Sequence, residues 1–160
     1  MAPIKKIILP TRPQPDTVVA ILLLRVFGKE TFPGVEVASI EIMPTIDMGE
    51  ENIYLEKGHL LIDIGGGRFD HHNKIPKTHT SELVAQHFGV AHEPAIAKLL
   101  AYAQRDDFFG RGTISPDPLD RAFGLSSLIA ALNREHPQDP NHVVDVIFPI
   151  LVAHLHEEER

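Results

Sequence analysis

The chain contains no cysteine. This absence excludes a disulfide framework, a thiolate nucleophile and a zinc site built from thiolates. Long hydrophobic runs are also missing, because no stretch approaches the roughly 18 apolar residues that indicate a membrane-spanning helix. The apolar run after Lys5 and Lys6 has four residues and is too short for a secretory signal. We therefore expect a cytoplasmic protein without a membrane partner.

Basic side chains are outnumbered, with 15 Lys and Arg against 22 Asp and Glu and a net charge of −7. An acidic surface repels phosphate backbones, so we expect no long nucleic acid as a partner. A small phosphorylated substrate held through a metal is compatible with this charge. The length of 160 residues and the apolar fraction of 43% predict one compact domain and exclude a disordered chain.

Three short apolar segments predict β-strands at residues 4–9, 35–42 and 60–64. Helical patterns predict helices at residues 16–27, 49–56, 80–89, 93–105 and 119–134, the last with a break at Gly124, and a final helix from 140 with a kink at Pro149. Asp16 is expected to cap the first helix. This order predicts an α/β fold with a mainly parallel sheet flanked by helices and a helical C-terminal third.

The most informative segment is residues 60–74, where a predicted buried strand leads into three glycines and two histidines. Asp63 lies near the carboxyl end of that strand, where ligand sites of open α/β sheets occur. Asp70, His71 and His72 follow the glycines, which let the backbone turn sharply. Carboxylate and imidazole together suit Mn²⁺, Fe²⁺ or Zn²⁺ better than Ca²⁺. Asp70 is either a ligand or the partner that orients an imidazole. The alternative is a polar hairpin with two solvated histidines.

The segment resembles the DHH phosphoesterase superfamily, whose name is the motif matched by Asp70-His71-His72. With Phe69 before the motif, it is most similar to the branch called melanocyte-proliferating-gene or metal-dependent hydrolase proteins. The likeness covers roughly residues 1–110 and includes the helix opening at 80–85. It implies an α/β fold with a metal centre at the strand ends. It also implies hydrolysis of a phosphodiester or phosphoanhydride of a small nucleotide or phosphate compound, with two Mn²⁺ or Mg²⁺ ions sharing a bridging aspartate.

The resemblance implies roles for individual residues. Asp63 matches the bridging aspartate and His71 matches a metal ligand. His72 matches a ligand or a phosphate contact. The late aspartate of the family is matched by Asp107 or by its neighbour Asp106, and the sequence leaves this choice open.

The first motif of the family, a histidine and two aspartates after the first strand, is only partly present. Asp16 matches the first aspartate, but Arg12 stands in place of the histidine and Val18 in place of the second aspartate. Because Arg12 keeps its charge, we expect it to form charge-assisted bonds with Asp16 and Asp63 and to act as a second positive charge. We therefore expect at most one well-bound Mn²⁺ or Mg²⁺ ion.

Simpler alternatives exist for these residues. In the alternative interpretation, Arg12 is a solvated loop residue paired only with Asp16, and Asp16 is only a helix cap. Asp106 and Asp107 are otherwise a solvated helix end, although an acidic pair is unfavourable beside the helix dipole there. Lys74, just past the histidines, is either a phosphate contact or merely exposed.

The chain is expected to form a single domain over residues 1–160, with a metal-site core at 1–110 and a helical covering segment at 111–160. The second, substrate-binding domain of the family is expected to be absent. The last helix carries an apolar stripe that either packs in the core or forms a homodimer. His79 and His87 are expected at the surface or beside the ligands.

The expected function is a metal-dependent phosphohydrolase. The residues expected to take part are Asp63, His71, Asp107 and Asp16 for the metal, Arg12, His72 and Lys74 for the substrate phosphate, and Asp70 and Asp106 as supports. Of these, Asp16, His72 and Arg12 are the expected catalytic residues. The alternatives are a noncatalytic relative that binds a metal or nucleotide, and a structural or interaction domain with only an ion-pair network.

Overall fold

The computed structural model describes residues 2–110 and 115–160. Three strands form one parallel sheet in the order β2-β1-β3, where β1 is Lys6–Leu9, β2 is Ser39–Ile42 and β3 is His59–Leu61. The helices in the described ranges are α1 (Pro15–Phe27), α2 (Glu51–Glu56), α3 (Thr80–His87), α4 (Ala97–Phe109), α5 (Pro118–Phe123), α6 (Leu125–Glu135) and α7 (Pro140–Glu158). The predicted α/β class, with a parallel sheet flanked by helices and a helical C-terminal region, is confirmed.

The sheet is buried on both faces, which explains the uninterrupted apolar run of its central strand β1. Ile7 pairs with Ile40 of β2 and Leu60 of β3 and faces the main hydrophobic core. Ile8 points to the opposite face and packs in a second, smaller cluster. Because all three strands are parallel, their carboxyl ends lie at the same edge. The loops that follow β1 and β3 therefore leave the sheet side by side.

Helix α1 is the centre of the main core. All of its residues from 15 to 24 are buried, and it packs against α3, α4 and α7. The helix begins at Pro15 with Gln14 as its N-cap, and the Gln14 N–H donates to Thr17 Oγ1 at 3.1 Å. The prediction that Asp16 caps this helix is therefore wrong. Pro15 favours the first helical position because its ring fixes φ and it has no N–H to satisfy.

Two predicted strands are shorter than expected. The first half of the second one is a 3-10 turn at Val35–Val37, and β2 starts at Ser39. The third strand ends at Leu61, two residues before Asp63, whose φ of 64° lies in the left-handed region. A residue in that region cannot continue a strand, so the chain turns away from the sheet there.

The helical C-terminal region shares the core of the sheet. Its predicted break at Gly124 separates α5 from α6, and α7 runs through Pro149. Five apolar residues of α7 are buried in the main core, namely Val143, Val144, Ile147, Leu151 and Leu155. Most of the apolar stripe is therefore core packing, and a dimer through α7 stays a prediction. The first residues of the predicted covering segment, 111–114, lie outside the described residues. Within the described ranges, no helix combines the length and the apolar content that a membrane crossing requires.

We predict that Gly58→Ala destabilises the fold more than Gly89→Ala. Both glycines have a left-handed φ, 79° and 69°, so alanine costs about 1–2 kcal/mol at each. A Cβ at Gly58 would also lie 2.4 Å from the backbone oxygen of Pro3, whereas one at Gly89 would meet nothing within 4 Å. Urea unfolding measures both free energies. Equal losses would contradict a steric role for Gly58.

Candidate metal centre

Asp63 is held in an unusual backbone conformation at the carboxyl edge of the sheet. Its N–H donates to the carbonyl of Phe69 at 3.0 Å, and its Oδ1 accepts the Thr80 hydroxyl at 3.2 Å. Aspartate tolerates the left-handed region better than most residues, at a cost of about 1 kcal/mol or more. The surrounding bonds offset this cost and hold the carboxylate at the start of the glycine loop.

The glycine loop, residues 65–67, is anchored by Glu51 of α2. The Glu51 carboxylate accepts the Arg68 N–H at 2.8 Å and the Arg68 Nε at 3.2 Å. A Cβ at Gly67 would lie 2.2 Å from the Glu51 carboxylate, so a larger residue there would displace this side chain from its bonds to Arg68. The positive φ of Gly65 and Gly66 completes the turn. The loop thereby places the motif residues 70–72 next to Asp63.

Asp70 orients His72. The buried Asp70 carboxylate accepts the N–H of Gly66 at 2.7 Å, and its Oδ1 lies 2.5 Å from His72 Nδ1. Burial acts to raise the pKa of Asp70, but the bonds from Gly66 and His72 outweigh it and hold this pKa below its ordinary value. Of the two roles that the sequence left open for Asp70, its contacts favour orienting an imidazole.

Two groups of candidate ligands share His71. The Asp63 group consists of Asp63, His71 and His72, and the Asp16 group consists of Asp16, His71 and Asp107. Within each group the ligand atoms all lie within 4.8 Å of one another. His71 Nε2 is 2.8 Å from Asp63 Oδ1, and this hydrogen bond raises the pKa of His71. The set implied by the resemblance, Asp63, His71 and Asp107, is thus divided between the two groups.

Asp16 caps a helix other than its own. Its buried carboxylate accepts the N–H groups of Thr80 and Ser81 at the start of α3, both at 2.9 Å, and lies 3.0 Å from His79 Nδ1. Burial acts to raise the pKa of Asp16, but the bonds from His79 and Ser81 keep it below its ordinary value. His79 itself is only 3% exposed. This contact has no local signal in the sequence, because it joins residues 63 positions apart.

Asp107, at the end of α4, completes the Asp16 group. Burial first, and then the neighbouring charge of Asp16, raise the pKa of Asp107. Its neighbour Asp106 belongs to neither candidate group, and the buried Oδ1 of Asp106 has no hydrogen-bond partner in the part of the chain that the structure describes. The geometry therefore favours Asp107 over Asp106 as the late aspartate.

Arg12 does not take the position that the sequence predicts. It is exposed, and within residues 2–110 and 115–160 no ion pair joins it to Asp16 or Asp63. Val18 is 2% exposed and lies in the main core, so this position contributes no ligand. Lys74 Nζ lies 3.4 Å from the carbonyl of Gly67, at the edge of the glycine loop.

The donor set fits a divalent cation. Three carboxylates, those of Asp16, Asp63 and Asp107, surround His71, and in the described ranges none of them pairs with a lysine or arginine. The carboxylate oxygens suit Mn²⁺ and Mg²⁺, and the imidazole nitrogen suits Zn²⁺. The uncompensated negative charge of the set favours a divalent ion. A neutral imidazole has one unprotonated nitrogen, so His71 serves one ion at a time.

We predict that Asp16→Ala lowers the free energy of unfolding by about 2 kcal/mol or more, because two buried amides and His79 lose their acceptor. Chemical denaturation measures the loss. Asp139→Ala is the matched control, since Asp139 caps α7 through a bond to His142 that is exposed to water. The prediction fails if the two variants are equally stable.

We predict that Mn²⁺ affinity falls as the solution becomes more acidic. A metal binds the deprotonated forms of His71 and Asp107, and the pKa values of both groups are raised. Protons therefore compete with the ion already near neutral pH, and more strongly below it. Calorimetric titration with Mn²⁺ at about pH 8 and about pH 5 measures the change. An affinity that does not depend on pH would exclude these two ligands.

Comparisons of this chain with protein-family models, with curated proteins and with solved structures found no match.

Proposed function

We propose that this protein is a metal-dependent phosphohydrolase that acts on a small phosphate ester. The observation that carries the proposal is the convergence of Asp16, Asp63, His71 and Asp107 beside the carboxyl edge of a parallel sheet. These residues come from three separate parts of the chain. Within the described ranges the Asp107 carboxylate has no structural bond of the kind that Asp16 and Asp63 make, and burial beside the charge of Asp16 raises its pKa, which is typical of a functional carboxylate.

The metal would be held by His71 together with the Asp16 group or the Asp63 group. A divalent ion bound there supplies positive charge for the phosphoryl oxygens and lowers the pKa of a bound water. Asp16 Oδ2 accepts one bond, from Thr80, and so keeps a lone pair for an ion or a water. The chain itself therefore presents fixed carboxylate oxygens as ligands, and the reacting phosphate would bind beside them.

His72 is the best-placed group for proton transfer. Its side chain is 57% exposed, and its Nε2 lies 3.7 Å from Asp63 Oδ1. Because Asp70 stays ionised and only accepts, Nδ1 of His72 carries the proton that is shared with it. When the ion is held by the Asp16 group, Nε2 of the neutral ring is free to accept a proton from water, and in the charged ring it donates to a phosphoryl oxygen.

A noncatalytic domain that binds a metal is the second candidate. The observation that favours it is the first motif, where Val18 is buried in the core and Arg12 contacts neither Asp16 nor Asp63 in the described ranges. Both candidates require a bound ion, which raises the melting temperature by mass action. Only the hydrolase requires turnover.

We predict that Asp63→Asn and His71→Gln abolish Mn²⁺-dependent hydrolysis of bis(4-nitrophenyl) phosphate. The loss in kcat/KM should exceed the roughly 10–100-fold that partners of metal ligands typically cost. Asp47→Asn and His92→Gln change the same residue types at exposed positions and serve as controls.

The melting temperature is measured on the same samples with and without Mn²⁺. A melting shift without hydrolysis of this ester or of a panel of nucleotides and sugar phosphates would favour the noncatalytic domain. No melting shift in the wild type would refute both candidates.

A further inference from the structure

A cavity of about 580 Å³ adjoins the candidate metal centre. One wall is the loop after β1, which contributes Arg12, and the opposite wall is helix α6. Asp107 of the Asp16 group belongs to its lining, so the cavity opens on the proposed reaction site. Its volume lies within the range of pockets that hold small organic ligands.

One face of α6 lines the cavity from its first turn to its last. The lining positions 126, 129, 130, 133 and 134 follow the spacing of a single helix face. Eight residues along a helix span about 12 Å, which is longer than one phosphate group. The Asn133 amide donates to the carbonyl of Pro13 at 2.8 Å and fixes the end of α6 that carries Arg134 against the β1 loop.

The cavity has hydrogen-bond donors that have no protein partner in the described part of the chain. Arg12 and Arg134 both line it, and in residues 2–110 and 115–160 neither has a carboxylate within ion-pair distance. Ser126 is 1% exposed, and its hydroxyl has no hydrogen-bond partner in the same ranges. Buried polar groups without partners are rare in folded proteins. Both arginines are exposed to solvent, and Asp106 and Asp107 line the same cavity, so the two guanidinium groups and the Ser126 hydroxyl are the donors that it offers to an anion.

We propose that Arg134, together with Arg12, binds a second anionic group of the substrate, a phosphate or a carboxylate at the end of the cavity away from the reacting phosphate. The assignment rests on the proposed function for the position of the reacting phosphate. It makes Arg134 a specificity-determining residue that selects elongated substrates with two anionic groups. Arginine suits this role because its planar fork binds phosphate and carboxylate in two-point contacts.

Three probes with one six-carbon chain test the assignment: hexane-1,6-diol bisphosphate, 6-phosphohexanoate and hexyl phosphate. Calorimetry with the intact chain and Mn²⁺ should show at least about tenfold tighter binding of a probe with two anionic groups, which is the effect of one good charge-assisted contact. A gain for the bisphosphate alone identifies a phosphate subsite, and a gain for both identifies a general anion subsite. Equal affinity for all three probes, or binding of none, overturns the proposal.

The variant Arg134→Gln should remove this preference and leave the affinity for hexyl phosphate unchanged. Arg160→Gln, at an exposed arginine outside the cavity, should keep the preference. A merely structural role of Arg134 at the end of α6 would lower the melting temperature and leave the preference intact, which contradicts the assignment.

The same titrations in EDTA separate this inference from the proposed function. A preference that depends on Arg134 and survives without metal, in a protein that neither binds Mn²⁺ nor hydrolyses esters, supports the subsite and refutes the hydrolase. Hydrolysis by a protein whose preference is unchanged in Arg134→Gln supports the hydrolase and refutes the subsite.

Discussion

The buried carboxylate of Asp16 is the contact on which the candidate site depends. It joins the first turn of α1 to the first turn of α3 by accepting the N–H groups of Thr80 and Ser81. This bond fixes Thr80, whose hydroxyl in turn donates to Asp63. A buried carboxylate is stable only when its hydrogen bonds replace water, so cap and site form together. The glycine loop, α3 and α1 are therefore positioned by one hydrogen-bonded unit.

The carboxylates of the candidate site differ from one another in the direction of their pKa shifts. Asp16 and Asp70 have lowered pKa values because hydrogen bonds outweigh burial, whereas Asp107 has a raised pKa because burial and a like charge act together. Opposite shifts among neighbouring carboxylates are typical of functional sites. His71 lies between Asp63 and the Asp16 group and belongs to both candidate groups.

Local patterns predicted much of the fold, while long-range contacts decided the details of the site. The apolar runs, the prolines at helix starts and Gly124 predicted most elements, and the segment from Asp63 to His72 indicated a metal centre. The predictions that Asp16 caps α1 and that Arg12 pairs with Asp16 and Asp63 are wrong, because capping and ion pairing here depend on contacts between distant parts of the chain. The burial of His79 and the position of Arg134 beside the cavity have no local signature in the sequence, since both depend on how the helices pack.

Glu51 and Gly67 behave as one structural unit. The carboxylate of Glu51 fills the space that a side chain at position 67 would need, and it accepts the backbone N–H of Arg68. A larger residue at position 67 therefore requires the Glu51 side chain to move away from Arg68, at the cost of the bonds between them. Redesign of the glycine turn has to treat these two positions as a pair, although 16 positions separate them in the chain.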